Sequence, residues 1–276
     1  MVDELVEAVA TKEKKIPVVE IFGPTIEGEG ALIGFQTMFI RFGLCDFKCT
    51  MCDSMHAVDP KIVKTTAQWI PVDEIARQVL EVMPAHIKHI TFSGGNPAIH
   101  ELGKLVVLLQ DAGKTVFVET QGTKKPDWLY MVDHLVVSPK GPGMGEIFKE
   151  DVFMEFMHTY LSQGVSMSVK IPVFHALDLE FAAAVGELCL QLERTYPRTF
   201  KRSRDFFLSL GNPYPPVYTA AGAVDVDKDT IKSALVNTLL TRYNTLSVEL
   251  MQDPRLNYAR FLPQLHTLVW GNEKGK

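Results

Sequence analysis

Strand-like and helix-like segments alternate along most of this chain, and that alternation limits the fold more than any single motif does. Short runs rich in β-branched and aromatic residues occupy positions 35–42, 89–92, 115–119, 134–137, 165–173 and 206–210. Stretches with apolar residues at three- and four-residue spacing lie at 72–83, 101–112 and 177–192. A last one, at 228–243, puts Ile231, Leu235, Leu239 and Leu240 on one face. The first pattern predicts strands and the second helices, and their repetition predicts an α/β fold with a mostly parallel sheet and right-handed crossovers. Polar or Gly-Pro clusters follow the predicted strands, at Ser93-Gly94-Gly95-Asn96-Pro97, Thr120-Gln121-Gly122, Ser138-Pro139-Lys140 and Gly211-Asn212-Pro213. Loops after parallel strands share one face, where active sites are built. These segments are expected to converge on one mouth, although any one of them alone reads as turn chemistry.

The first of those loops holds Cys45, Cys49 and Cys52, spaced Cys-x3-Cys-x2-Cys. A structural zinc takes four N or S ligands, so the triad is one short of a closed site, and iron–sulfur clusters are normally held by four cysteines. Three thiolates on one tight loop fit a four-iron cluster held at three corners, with the fourth iron open to a small chelating molecule. A zinc site stays as an alternative, as does a redox dithiol of Cys49 and Cys52 that leaves Cys45 unexplained. Disulfides are not expected: the chain has four cysteines, and its acidic start lacks the features of a signal peptide. The setting expected is reducing and cytoplasmic. Cys189 lies among Phe181, Val185, Leu188 and Leu192 at helical spacing and reads as a buried core thiol.

Composition narrows the function classes. With 276 residues, 46% hydrophobic and 22% charged, the chain has ample length for one large core. A net charge of −5 and a pI near 5.9 argue against a nucleic-acid surface and favour a small substrate. No run approaches the roughly 18 apolar residues of a membrane helix. The loops at 141–150 and 212–227 are rich in Gly, Pro and Ala and read as lids or plain connections.

The triad on the first strand-to-helix loop, Gly94-Gly95-Asn96-Pro97 after the second strand and the alternating architecture resemble the radical S-adenosylmethionine superfamily. Phe22-Gly23-Pro24-Thr25-Ile26-Glu27-Gly28-Glu29-Gly30, Phe39-Ile40-Arg41-Phe42-Gly43-Leu44-Cys45, Cys52-Asp53-Ser54, Ser138-Pro139-Lys140 and Leu262-Pro263-Gln264-Leu265-His266 narrow the resemblance to the 7-carboxy-7-deazaguanine synthase family. That family makes the 7-deazapurine core of queuosine and related modified bases. The motifs run in order from about 18 to 271 and are densest in the first half. The resemblance implies a partial, open β/α barrel of about six strands and one domain spanning 1–276, with 1–16 an extension and 17–271 the catalytic barrel.

It also implies a chemistry. A [4Fe-4S] cluster on Cys45, Cys49 and Cys52 binds the methionine end of S-adenosylmethionine at its open iron, and the reduced cluster cleaves the cofactor to a 5′-deoxyadenosyl radical. The radical takes hydrogen from C6 of 6-carboxy-5,6,7,8-tetrahydropterin, and ring contraction with loss of ammonia gives 7-carboxy-7-deazaguanine. The radical does the chemistry, so no catalytic side chain is expected. Cofactor contacts are implied for Met51, Cys52, Asp53, Gly95, Ser138, Pro139 and Lys140, and substrate contacts for Ile26, Glu27, Gly28, Glu29, Arg41, Ser93, Gln264 and His266. Ser54 matches the position that holds Mg2+, where many relatives carry threonine. A flavodoxin-like or ferredoxin-like electron donor and a homodimer are also implied, with neither nucleic acid nor membrane as partner.

Each assignment has a plainer reading: a structural ion pair for Arg41, a solvated charge for Lys140, a turn cap for Ser138, a structural residue for His266. Three departures stand out. Glu27 replaces a usual glutamine, exchanging an amide for an acceptor-only carboxylate. Asn96 replaces the common glutamate of Gly-Gly-Glu-Pro, and Met51 stands where an aromatic is frequent. The rival enzyme class is a glycyl-radical activating enzyme, which shares the cysteine spacing; the rival outside catalysis is an iron–sulfur or zinc interaction module.

Overall fold

All six predicted strands form, and they run parallel. In the computed structural model, which describes residues 14–214, 218–219, 222–223, 228–273 and 275, the strands are β1 (Ile16–Ile26), β2 (Gln36–Phe42), β3 (Gln68–Ile70), β4 (His89–Gly94), β5 (Thr115–Thr120), β6 (His134–Val137), β7 (Met167–Val173) and β8 (Phe206–Leu210). A hairpin of β9 (Tyr218–Thr219) and β10 (Gly222–Ala223) follows, then β11 (Arg260–Leu262). One sheet runs in the order β11-β8-β7-β6-β5-β4-β2-β1-β3. It is parallel from β2 to β11, with β1 antiparallel to β2 and β3 antiparallel to β1. The two edges do not meet, so the barrel is open, as expected.

The crossovers carry α1 (Met55–Val58), α2 (Pro60–Thr66), α3 (Val72–Val82), α4 (Gly103–Asp111), α5 (Glu150–Leu161), α6 (Ala176–Thr195), α7 (Arg202–Asp205), α8 (Lys228–Gln252) and α9 (Leu265–Trp270). A short 3-10 turn, Asp127–Met131, replaces a helix between β5 and β6. Among the described residues no helix is long and apolar enough to cross a membrane.

Strand alternation sorts the side chains into two sets. Ile40, Phe92, Val118, Val137, Ile171 and Leu208 join the core shared with the helices. That face is dry, and at roughly 25 cal/mol per Å² it supplies the main driving force for folding. Their neighbours Arg41, Ser93, Glu119, Lys170 and Ser209 face a cavity instead. Below it, Phe35, His89 and Phe117 stack edge and face, with centroids 4.8 to 5.8 Å apart, and make an aromatic floor at the N-terminal ends of the strands.

Cys189 is fully buried on α6, as expected. On α8 the expected face is corrected: Leu235 and Leu239 are buried together with Leu246, whereas Leu240 is 50% exposed, because the helix runs on to Gln252 and its buried stripe turns away from Leu240. The side chain of Ile231, most of the 212–227 loop and most of the 1–16 extension lie outside the described residues.

Candidate active site

The loops after the parallel strands do converge. They enclose, with β1 and the segment around α9, a cavity of about 240 Å3. It is lined by all three cysteines of the triad and by every residue singled out for cofactor, substrate or metal contact except Pro139, which is buried in the wall behind Ser138.

The cysteine loop is fixed through its backbone. Leu44 N–H donates to Ala57 O at 2.7 Å, Asn96 N–H to Leu44 O at 2.9 Å, and Thr50 N–H to Met144 O at 2.9 Å. Lys48 N–H reaches Glu146 Oε1 at 3.0 Å. The 141–150 loop is therefore a brace against the cysteine loop, and Met144 packs with Cys49 and Phe174. Gly95 serves the same packing: a Cβ there would meet Leu44 O at 1.8 Å. Burial raises all three thiol pKa values, those of Cys49 and Cys52 to about 12.

Lys140 Nζ donates to Ser138 Oγ at 2.7 Å, so both face the cavity as a unit. Asn96 does not point there. It is fully buried, with Nδ2 donating to Asp46 Oδ1 at 2.8 Å and Oδ1 accepting from Ala98 N–H at 3.1 Å and Thr120 Oγ1 at 2.9 Å. Met51 lies partly buried against the Cys49 cluster.

The opposite end is a network of charges. Arg41 does meet a protein carboxylate, as its plain reading anticipated: Nε donates to Glu20 Oε1 at 2.6 Å and Nη1 to Ser54 Oγ at 2.9 Å. A guanidinium has five N–H donors, so others remain for a ligand. Ser54 Oγ in turn donates to Asp53 Oδ1 at 3.0 Å. Burial works to raise the Glu20 pKa, but His56 and Arg41 outweigh it and hold it at about 2.

Glu29 is the hub of the next cluster. It accepts from Lys170 Nζ, from Ser209 Oγ at 3.1 Å and from Gln264 Nε2 at 2.5 Å. Lys170 also donates to Glu119 Oε1 at 2.8 Å. Burial opposes ionisation of both partners, yet their attraction wins: Glu29 falls to about 2, and Lys170 rises well above its ordinary value. Gly28 packs against His266, where a Cβ would come within 2.3 Å of Nδ1, and Gly28 O accepts from Leu265 N–H at 3.0 Å. These contacts seat the segment of Gln264 and His266 against β1.

Glu27 is different. Only 5% exposed, it accepts from Gly28 N–H at 3.0 Å. Burial, reinforced by the charge of Glu119, raises its pKa to about 8. The acceptor-only expectation does not allow for this environment, which favours the protonated carboxyl, a form that can donate as an amide does.

Sequence reasoning missed Glu20, His56, Glu119, Lys170 and Ser209, whereas Gln121 lines the mouth where its post-strand turn was expected. Lys170 was findable, since a lysine inside the apolar run Val169-Lys170-Ile171 carries the same signal as Arg41 in β2. Glu20 was hidden because β1 is broken by Pro17, Gly23 and Pro24 and by register shifts against β2.

The residues fit an iron–sulfur cluster. Three soft thiols share one wall, and Cys189 lies away from the cavity in the helix-side core. Among the described residues no three His, Cys, Asp or Glu side chains converge on a single ion, whereas ligands to separate irons need not converge. Three buried polar atoms on the cavity wall, Ser93 Oγ, Gln121 Oε1 and Gln264 Oε1, have no hydrogen-bond partner in the protein, which suits polar ligands on both sides.

The sequence model of the radical SAM superfamily matches residues 39–137. The chain is 36% identical over 268 residues to the 7-carboxy-7-deazaguanine synthase of Bacillus subtilis, covering 95% of this chain and 99% of the relative. To the enzyme of the same name from Bacillus cereus it is 36% identical over 262 residues, with the same shares covered. The crystal structure of QueE from Escherichia coli shares the fold, with a TM-score of 0.55 at 22% identity, covering 91% of this chain and 95% of that one.

Proposed function

Because the chain belongs to the 7-carboxy-7-deazaguanine synthase family of the radical SAM superfamily, we propose that it converts 6-carboxy-5,6,7,8-tetrahydropterin to 7-carboxy-7-deazaguanine with loss of ammonia. The observation that supports this best is that one cavity has three thiols at one end and an interlocked set of carboxylates and cations at the other. When bound, the [4Fe-4S] cluster and S-adenosylmethionine supply the one-electron chemistry that removes hydrogen from the pterin. The protein supplies position and water exclusion.

Cys45, Cys49 and Cys52 would hold the cluster. Ser138 and Lys140 would take the methionine carboxylate, Gly95 would offer backbone to that end of the cofactor, and Met51, Cys52 and Asp53 would flank the adenosyl group. Arg41 suits the pterin carboxylate, since Glu20 holds one edge of its planar fork and leaves N–H donors over. Protonated Glu27 can serve the pterin ring as donor and acceptor, beside Ile26, Gly28 and the Ser93 hydroxyl, while Glu29 and His266 complete the wall with Gln264. Mg2+ would bind at Ser54 Oγ with the substrate carboxylate, in place of the Arg41 contact that Ser54 now receives. A flavodoxin-like or ferredoxin-like donor and a homodimer complete the reading.

The test is an anaerobic assay of reconstituted, reduced protein with S-adenosylmethionine, Mg2+ and 6-carboxytetrahydropterin. Formation of 7-carboxy-7-deazaguanine is expected. Cofactor cleavage with no such product would discard the substrate and keep the superfamily chemistry.

A further inference from the structure

Gln121 follows directly on β5 and reaches the cysteine loop. Its Nε2 donates to Cys45 Sγ at 3.1 Å and to Gly95 O at 3.2 Å. A backbone carbonyl can only accept, so the atom facing Gly95 O must be the NH2 group, and the amide orientation follows from chemistry. Oε1 is then turned away from both, buried on the cavity wall and without a protein partner. A buried acceptor left unpaired costs about 1–3 kcal/mol, which a ligand donor would recover.

The amide is held where it is. Thr120 Oγ1 donates to Asn96 Oδ1 at 2.9 Å and accepts from Gly122 N–H at 3.3 Å, and Gly122 has a φ of 79° with Val137 too close for a Cβ. Asn96, at the position where the resemblance leads one to expect a glutamate aimed at the cofactor amine, has both side-chain atoms engaged, Oδ1 by Thr120 in this turn and Nδ2 by Asp46 on the cysteine loop. Gln121 Oε1 is a side-chain acceptor left over on the cavity wall, on the residue whose Nε2 already reaches Gly95 O.

We propose that the Gln121 amide bridges cluster and cofactor, its N–H donating to the Cys45 sulfur and its carbonyl accepting from the amino group of the methionine moiety of S-adenosylmethionine. This rests on the function proposed above. The donor half withdraws charge from a ligand sulfur and so raises the cluster reduction potential; the acceptor half adds affinity for the cofactor. Both act through one side chain, so cofactor docking and cluster tuning share a pivot.

Two substitutions in reconstituted holoenzyme separate the halves. Gln121→Leu removes donor and acceptor together. It should leave iron content unchanged, weaken S-adenosylmethionine binding about tenfold, and make the cluster about tenfold less reduced at a fixed potential, as second-shell losses at metal sites do. Gln121→Glu keeps an acceptor and loses the donor, so its cofactor affinity should exceed that of the leucine variant while its potential falls at least as far. A merely structural role would not split the two readouts. An unchanged potential in both variants overturns the sulfur half, and an unchanged affinity in the leucine variant overturns the carbonyl half. Independently of any substitution, wild-type protein labelled with side-chain 15N-glutamine should show nitrogen coupling to the reduced cluster in pulsed EPR, and its absence also overturns the hydrogen bond. Wild-type cluster that shows no spectral response to S-adenosylmethionine would bring down the functional reading as well, whereas a normal wild-type response with unaffected variants brings down this inference alone.

Discussion

The two ends of the cavity are organised on opposite principles. At the cysteine end the thiols themselves carry little charge: burial keeps them neutral, with Cys49 and Cys52 raised to about 12, and the loop owes its shape to backbone bonds with Ala57, Asn96 and Met144. At the other end the charges already satisfy one another, with Glu29 held by Lys170, Ser209 and Gln264, and Glu20 by Arg41 and His56. At one end the thiols would become charged only when metal displaces their protons. The other is preorganised by the strands themselves, so a ligand arrives at groups that need little rearrangement.

The two ends should therefore fail differently. Replacing Cys49 with Ala is expected to have the largest effect, with loss of the cluster and of product by more than about a thousandfold, read from iron content and turnover while the far-end charge network keeps the thermal melting point near that of wild-type apoprotein. If the apoprotein unfolds instead, the ends are not independent. Lys170→Met should do the converse: it leaves Glu29 and Glu119 buried without a cation, costs roughly 3–5 kcal/mol of stability by chemical denaturation, and spares iron binding.

A smaller effect sharpens the difference within the charged end. The Glu27 pKa is raised to about 8 from an unfolded value of 4.5, so the stability it contributes is complete below pH 4.5 and is lost as pH rises toward 8. Glu27→Gln should flatten that slope and stabilise the protein at pH 7 by about 3 kcal/mol, measured as denaturation midpoints across pH. Glu20 and Glu29, lowered to about 2, have the opposite sign: their contribution is present above pH 4.5 and is lost between there and pH 2. A stability profile with no slope between pH 5 and 8 in the wild-type protein would remove Glu27 from this account. Least of all, Ser54→Ala should raise the Mg2+ concentration for half-maximal product formation by about tenfold, the loss of one oxygen ligand, and leave cofactor cleavage without substrate unchanged; an unaltered Mg2+ dependence would take the ion away from Ser54.

What could be read in the sequence follows the same division. The parallel strands declared themselves through alternation, and the cysteine end through three residues close in sequence. The charged end depends on partners far apart in the chain, such as Glu20 with Arg41 and Glu29 with Lys170, and neither pairing has a local signature. β1 escaped because its prolines and register shifts obscure the period. Residues 150–161 escaped for no such reason: Phe153, Phe156, Met157 and Tyr160 have plain helical spacing and are buried on α5. Gln121 was legible as part of a turn at the mouth but not in its contact, since a glutamine in a polar turn is ordinary until its distance to a sulfur is known.

The bond between Gln264 and Glu29 joins residues 235 positions apart. A ribosome adding about 5–20 residues per second needs on the order of ten to fifty seconds to travel from one to the other. For most of that interval the cysteine loop has been made while the charged wall still lacks its last strut. Synthesis thus sets an order in which the cysteine end of the cavity emerges long before its charged end can be tied off.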